Sequence, residues 1–308
     1  MTVTHLVTHS GGFHADELLS SVVLTRLFPQ AELVRTRDKA MIAAGADKII
    51  YDVGGRYDAA EQIFDHHQTP GPLRPDGQPY SSFGLIWLHY GAAYLTAMGV
   101  PEANLDAIHN SFDAKFVLPI DLLDNGAIEP SVAGPLSSLT LPALLGSLKP
   151  VFDDASPTAD DDAFACALPI ARAFVEASIR NVAAKARAQS MVKEAIAKAG
   201  SSAILELPMG MPYRSALDEA GADHILFVVN PRGGDWTLGG IKLSGDSFDQ
   251  RADLPEAWAG LSDAALEDAS GVKGAKFCHK ARFIAVADSR DAILKMAEIA
   301  AQTALAQA

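Results

Sequence analysis

Imidazoles and carboxylates cluster in four short stretches of this chain, and together they give nine side chains able to hold metal ions: His9, His14, Asp16, Asp52, Asp65, His66, His67, Asp121 and Asp124. Mixed nitrogen and oxygen donors suit Mn²⁺, Fe²⁺, Co²⁺ or Zn²⁺, whereas Mg²⁺ and Ca²⁺ usually take oxygen alone. The set is large enough for two ions. Two cations about 3.5 to 4 Å apart can acidify a water and clamp both the attacking and the leaving oxygen of a phosphoryl displacement. Any one of these histidines, met alone, is more often an ordinary hydrogen-bonded residue. The weight lies in their grouping, above all in "IFDHHQT" (63–69) and "HSGGFHADE" (9–17).

Adjacent side chains on a strand point to opposite faces, so His66 and His67 can share one site only at a strand end or in a loop. The flanking segments supply such ends. "HLVTH" (5–9), "AELVRT" (31–36) and "KIIYDV" (48–53) read as strands, with a helix over "ELLSSVVLTRLF" (17–28) and a short helical pattern over "RDKAMIAAG" (37–45). Alternating strands and helices predict a parallel α/β sheet, whose ligands gather at the carboxyl ends of the strands. A Pro/Gly-rich loop (70–80) leads to a helix at 81–99, and a further helical run over 102–124 stops at "DNG". Residues 127–158 read as an irregular insertion or lid, and the Ala-rich stretch 161–200 as one long linking helix that Pro169 kinks or bounds. Beyond Gly200 the pattern turns to strands, a hairpin turn at "NPRGGDW" (230–236) and a last helix, "SRDAILKMAEIAAQTALAQ". The expected organisation is a metal-binding domain over 1–200 and a smaller mixed α/β domain over 201–308.

The chain has 308 residues and a formal net charge of −13, which disfavours a duplex-DNA-binding surface because phosphate neutralisation supplies most of that affinity. Its two cysteines, Cys166 and Cys278, form no metal or disulfide spacing, and a reducing cytoplasm fits them. Neither a signal peptide nor a membrane-spanning run is expected. Association into a homo-oligomer through the apolar last helix is an open expectation.

The order "HSGGFHADE", "YDVGG", "FDHHQ", "SSFGLIW", "DLLDNG", "LPEAWAGL" and "FCHKARF" resembles the DHH phosphoesterase superfamily, and within it the family of the melanocyte-proliferating-gene product. Metal-dependent hydrolases and 3′ to 5′ RNA exonucleases are described there. The resemblance implies two divalent ions, Mn²⁺ first, with Mg²⁺, Co²⁺ or Zn²⁺ as alternatives. It implies that His9, His14 and Asp16 form the first metal motif, with a histidine where most DHH enzymes have aspartate. Asp52 would bridge both ions, and His66 would bind the second with Asp124, for which Asp121 is the rival. His67 would face the scissile phosphate, and Asp65 would orient one of the two imidazoles. A phosphate clamp would come from Lys276, His279, Lys280 and Arg282, with Arg232 facing the cleft, although the "GGH" signature of such second domains is absent. The implied substrate is single-stranded RNA or a short oligonucleotide. Pyrophosphate, a cyclic dinucleotide, or a metal-dependent binding module without hydrolysis are the competing readings.

Overall fold

Two faces of one sheet organise the first part of the chain. In a computed structural model, which describes residues 2–244, 247 and 249–307, the strands β1 (His5–Thr8), β2 (Glu32–Arg35), β3 (Lys48–Tyr51), β4 (Tyr57–Asp58) and β5 (Ile63–Phe64) lie in the order β2-β1-β3-β5-β4. All neighbours are parallel except β4 and β5, which are antiparallel. Because side chains alternate along a strand, Leu6, Ile49, Tyr51 and Phe64 face one core, while Val7, Ile50 and Ile63 face another. Both sets are almost wholly buried.

Helices cover the first face. α1 (Ala15–Leu27) is buried all round from Ala15 to Leu24, and α2 (Ser82–Ala97) packs along it. Trp87, at 0% exposure, stacks on His109 at 5.1 Å between ring centroids and meets Phe112 at 4.5 Å. Burying an aromatic of that size contributes roughly 1.5–3 kcal/mol. The other face is covered differently from expectation. Residues 37–45 form turns rather than a helix, because the Asp38 carboxylate accepts from the amides of Ala40 and Met41 at 3.0 and 3.1 Å, and Gly45 follows at once. Such local side-chain bonds compete with helix. Met41 and Ile42 still pack on Val7, Ile50, Val53 and Ile63.

The expected helical run over 102–124 is also interrupted. It consists of a 3₁₀ turn, α3 (Leu105–Phe112), a π turn over Asp113–Val117, and α4 (Leu118–Asp124). Gly84 of α2 allows α4 to approach, since a Cβ there would lie 2.3 Å from Asp121 Oδ2. The segment after α4 runs through 3₁₀ turns over Pro130–Leu139 to α5 (Leu141–Gly146).

α6 (Ala159–Ala199) continues through Pro169. The chain divides within it into compact units of Met1–Ala184 and Lys185–Ala308, earlier than the helix end at about 200 that the sequence led one to expect. The physical reason is that Phe164, Ala167, Ala171 and Val175 belong to the first core, whereas Val192 belongs to a cluster with Leu205, Leu217 and Ile225. The second unit holds β6 (Ile204–Glu206), α7 (Arg214–Glu219), β7 (Phe227–Arg232), β8 (Asp235–Gly240), α8 (Asp263–Ser270), β9 (Ala275–Cys278), β10 (Ile284–Ala287) and α9 (Arg290–Gln307). Its sheet runs β6-β7-β8-β10-β9. Gly233 and Gly234, at φ 61° and 94°, make the tight β7–β8 hairpin, as I′ turns require. No described helix is long and apolar enough to cross a membrane.

Candidate metal centre

Three neighbouring parallel strands end together, and each is followed by a candidate ligand. His9 follows β1, Asp52 follows β3, and the Asp65, His66, His67 triplet follows β5. The N-terminus of α1 brings Asp16 and Glu17 to the same place, and the last residue of α4 brings Asp124. His9 Nε2 lies 3.1 Å from Glu17 Oε1 and 3.2 Å from Asp52 Oδ2. His66 Nε2 lies 3.4 Å from Asp52 Oδ1, 3.2 Å from Asp124 Oδ2 and 3.9 Å from Asp16 Oδ2. Asp52 therefore stands between the two imidazoles. Its backbone takes φ 54°, a left-handed conformation that Asp and Asn tolerate better than other side chains.

The buried oxygens tell whether cations fit here. Asp16 Oδ1 and Oδ2 and Glu17 Oε2 have no hydrogen-bond partner among the described residues, although Asp16 and Glu17 are only 1% and 0% exposed. Leaving buried charges unpaired costs several kcal/mol each, so this arrangement is built for positive charge. Four overlapping triads each bring their ligand atoms within 4.8 Å: His9, His14 and Glu17; Asp52, His66 and His67; Asp16, His66 and Asp124; Asp16, Glu17 and Asp52. Mixed nitrogen and carboxylate donors of this kind suit Mn²⁺, Fe²⁺, Co²⁺ or Zn²⁺.

Electrostatics agree. Burial alone would lower His9, but its bonds to Asp52 and Glu17 outweigh burial and raise it to about 10. Burial likewise opposes protonation of His66, yet Asp52 and Asp124 raise it. Burial, together with repulsion from Asp52, Asp124 and Glu17, pushes Asp16 well above the usual carboxylate range. For Asp52 burial acts upward, and the His66 and His9 imidazoles overrule it and hold the carboxyl low. A pKa raised to about 10 keeps His9 protonated at neutral pH, so a metal held by its ring must displace that proton. Metal affinity is expected to weaken by about tenfold per pH unit for each proton displaced as pH falls from 8 to 6. Calorimetric titration with Mn²⁺ in buffers of different ionisation enthalpy checks this, and a proton release of zero would refute it.

His67 is set apart from the cluster by its exposure, 61% for the side chain. Asp65 Oδ1 accepts from its backbone N–H at 3.1 Å and lies 2.7 Å from its Nδ1, while Asp65 Oδ2 accepts from Gly55 N–H at 2.6 Å. The carboxylate thereby fixes the ring and favours the proton on Nδ1. A cavity of about 530 Å³ opens beside these groups, and His14, Asp52, His66, His67 and Asp124 are among its lining residues.

Comparison with known proteins adds the family. The MYG1_exonuc family model, described as an uncharacterised protein family (UPF0160), matches residues 5–301. The chain belongs to this family. A MYG1 exonuclease of Bos taurus is 33% identical over 96% of this chain and 84% of its own length. The Homo sapiens MYG1 exonuclease is 33% identical over 96% and 85%, and a MYG1 protein of Schizosaccharomyces pombe 31% over 95% of each. Exonuclease RecJ bound to manganese has a TM-score of 0.27 with 16% identity, covering 97% of this chain and 89% of that one. That score is too low to transfer residues or activity.

Within this MYG1 family chain, Asp121 goes elsewhere than the cluster. Its Oδ1 accepts from Ser81 Oγ at 2.6 Å, and its Oδ2 accepts from Arg74 Nη2 at 2.6 Å and Nε at 3.0 Å. Arg74, only 8% exposed in its side chain, also holds Asp113 and lies over the Tyr80 ring. The rival ligand is thus occupied by a salt bridge, and Asp124 is the member of the pair that faces His66. Replacing Arg74 by Met is expected to destabilise the first unit by about 3–5 kcal/mol, because it strands a buried carboxylate. Urea unfolding would measure that loss, and adding Asp121→Asn should recover part of it.

Three participants are absent from the reading of the sequence: Glu17, Asn125 and Arg74. Glu17 Oε1 accepts from His14 N–H at 2.7 Å, its Oε2 has no hydrogen-bond partner among the described residues, and the residue shares a possible ligand triad with Asp16 and Asp52. Asn125 Oδ1 lies 3.4 Å from His66 Nδ1, and its amide donates to the carbonyls of Tyr80 and Asp121 at 3.1 and 2.9 Å. The only local signal was an acidic pair opening an otherwise apolar helix. The expected clamp residues all lie in the second unit. Lys276 is paired with Asp235 at 2.8 Å and Arg282 with Asp253 at 2.9 Å. The His279 ring accepts from Ala281 N–H at 3.0 Å, and Lys280 and Arg232 are exposed.

Proposed function

We propose that this chain is a divalent-metal-dependent phosphoesterase that removes nucleotides from the 3′ end of single-stranded RNA or a short oligonucleotide. The observation that carries this reading is the set of buried carboxylate oxygens without partners, interleaved with two histidines and bordering a cavity. His9, His14, Asp16, Asp52, His66 and Asp124 would hold two ions, Mn²⁺ first, and Glu17 joins His9 and His14 at the same place. Bound ions there would supply charge neutralisation for the phosphoryl group and a more acidic water.

The remaining work falls to protein groups. His67, braced by Asp65, stands at the cavity outside the buried cluster, positioned to polarise a phosphoryl oxygen or give a proton to the leaving oxygen. The name MYG1 exonuclease borne by the bovine and human relatives supports a nucleic-acid substrate. A net charge of −13 favours a single strand, met one end at a time, over a duplex.

Purified protein with Mn²⁺, given 5′-labelled and 3′-labelled single-stranded RNA, dinucleotides and pyrophosphate in parallel, tests the reading. Early release of labelled mononucleotide from the 3′ label, with gradual shortening of the 5′-labelled strand, is expected. Hydrolysis of pyrophosphate with no nucleotide released from any RNA would overturn it.

A further inference from the structure

The cavity beside the candidate metal centre has lining residues that the metal ligands do not explain. Besides the imidazoles and carboxylates it is lined by Phe13, Ile120, Leu123, Pro142, Ala143 and Lys149. Pro142 and Ala143 belong to α5, and Lys149 follows it, so the segment over 127–158 contributes a wall to the centre. Lys149 is the one lysine or arginine among the lining residues. It is half-buried, and its ammonium lies 5.9 Å from the centre of the Phe13 ring. Among the described residues its side chain makes no hydrogen bond or ion pair, whereas Lys276, Arg282, Arg74 and Arg35 are each tied to a carboxylate.

We infer that this cavity is a mononucleotide pocket in which Lys149 grips the phosphate of the terminal nucleotide and the apolar wall receives its base or ribose. This rests on the phosphoesterase reading above and adds a ligand class to it. Three observations converge. A volume of about 530 Å³ falls in the range of pockets that enclose a small organic ligand. An inorganic anion has no use for an apolar half, while a nucleoside does. A half-buried ammonium without an anionic partner, beside carboxylates that metals would neutralise, is an open position for a phosphate oxygen.

Calorimetric titration of the Mn²⁺-loaded full chain with AMP and with adenosine, for wild type, Lys149→Gln and Lys149→Arg, tests the assignment. Lys149→Gln should weaken AMP binding by about tenfold or more, since it removes a charge-assisted bond, and should leave adenosine binding and metal content unchanged. Lys149→Arg should keep most of the AMP affinity. Equal AMP affinity in wild type and Lys149→Gln, equal losses for AMP and adenosine, or no AMP binding by wild type would each overturn it. RNA hydrolysis on the same samples separates the two readings. A wild type that binds AMP through Lys149 yet releases no nucleotide from RNA keeps the pocket and removes the exonuclease. Normal RNA hydrolysis with AMP binding indifferent to Lys149 does the reverse.

Discussion

Asp52→Asn is expected to abolish hydrolysis and most metal binding together. Changing residues that merely orient a metal ligand costs about 10- to 100-fold in affinity, so loss of the carboxylate that lies between His9 and His66 should cost more than about 100-fold. Asparagine is the informative replacement. It tolerates the φ of 54° that Asp52 adopts, whereas alanine would add about 1–2 kcal/mol of backbone strain and confuse the two effects. The measurement is the rise in melting temperature on adding Mn²⁺. At a metal concentration of about 1,000 times Kd, binding stabilises a folded protein by about 4 kcal/mol, and the variant should show almost none of this. A variant that keeps both its Mn²⁺-dependent stabilisation and its turnover would remove Asp52 from the centre.

His67→Gln is expected to separate what Asp52→Asn joins. Loss of a positioned proton donor lowers turnover by about 10²- to 10⁴-fold, and His67 sits exposed at the edge of the cluster with its Nδ1 held by Asp65. Metal content and the Mn²⁺-dependent shift in melting temperature should therefore stay as in wild type while turnover collapses. The geometry admits one rival, because His67 shares a possible ligand triad with Asp52 and His66. Loss of metal in proportion to activity would make His67 a ligand and cancel its role at the phosphate. Asp65→Asn should fall between the two, keeping metal and losing part of the turnover, since the ring would lose its orienting carboxylate.

How much of this was written in local sequence can be judged residue by residue. His9, Asp52 and His66 were legible because each follows an apolar strand, and parallel strands end on one side whatever their order. Asp16 was legible from the helix start that follows the glycine loop. Asp121 and Asp124 were not separable, since residues three apart share a helix face. What separates them is Arg74, 47 residues before Asp121 in the chain, and no local pattern carries that contact. Asn125 read only as a helix stop, and its amide does end α4, yet the same side chain reaches His66 across 59 residues. Residues 37–45 misled for the opposite reason. Their apolar pair and alanines looked helical, but Asp38 ties up the amides and Gly45 ends the segment before a second turn can form. In the second unit the cluster of basic residues was visible, and the carboxylates that claim Lys276 and Arg282, 41 and 29 residues away, were not.

The Pro/Gly-rich loop after the histidine pair has the composition of dispensable surface, yet it works as a strut. Arg74 pins its middle to Asp121, and the Asn125 amide pins its end at the Tyr80 carbonyl while the same residue meets His66. The candidate ligand His66 that follows β5 and the end of α4 that carries Asp124 are thereby yoked through one span of coil. Loosening that span by insertion, nicking or loss of Arg74 would slacken both at once, so the loop's order and the spacing of the candidate ligands rise and fall as a single equilibrium.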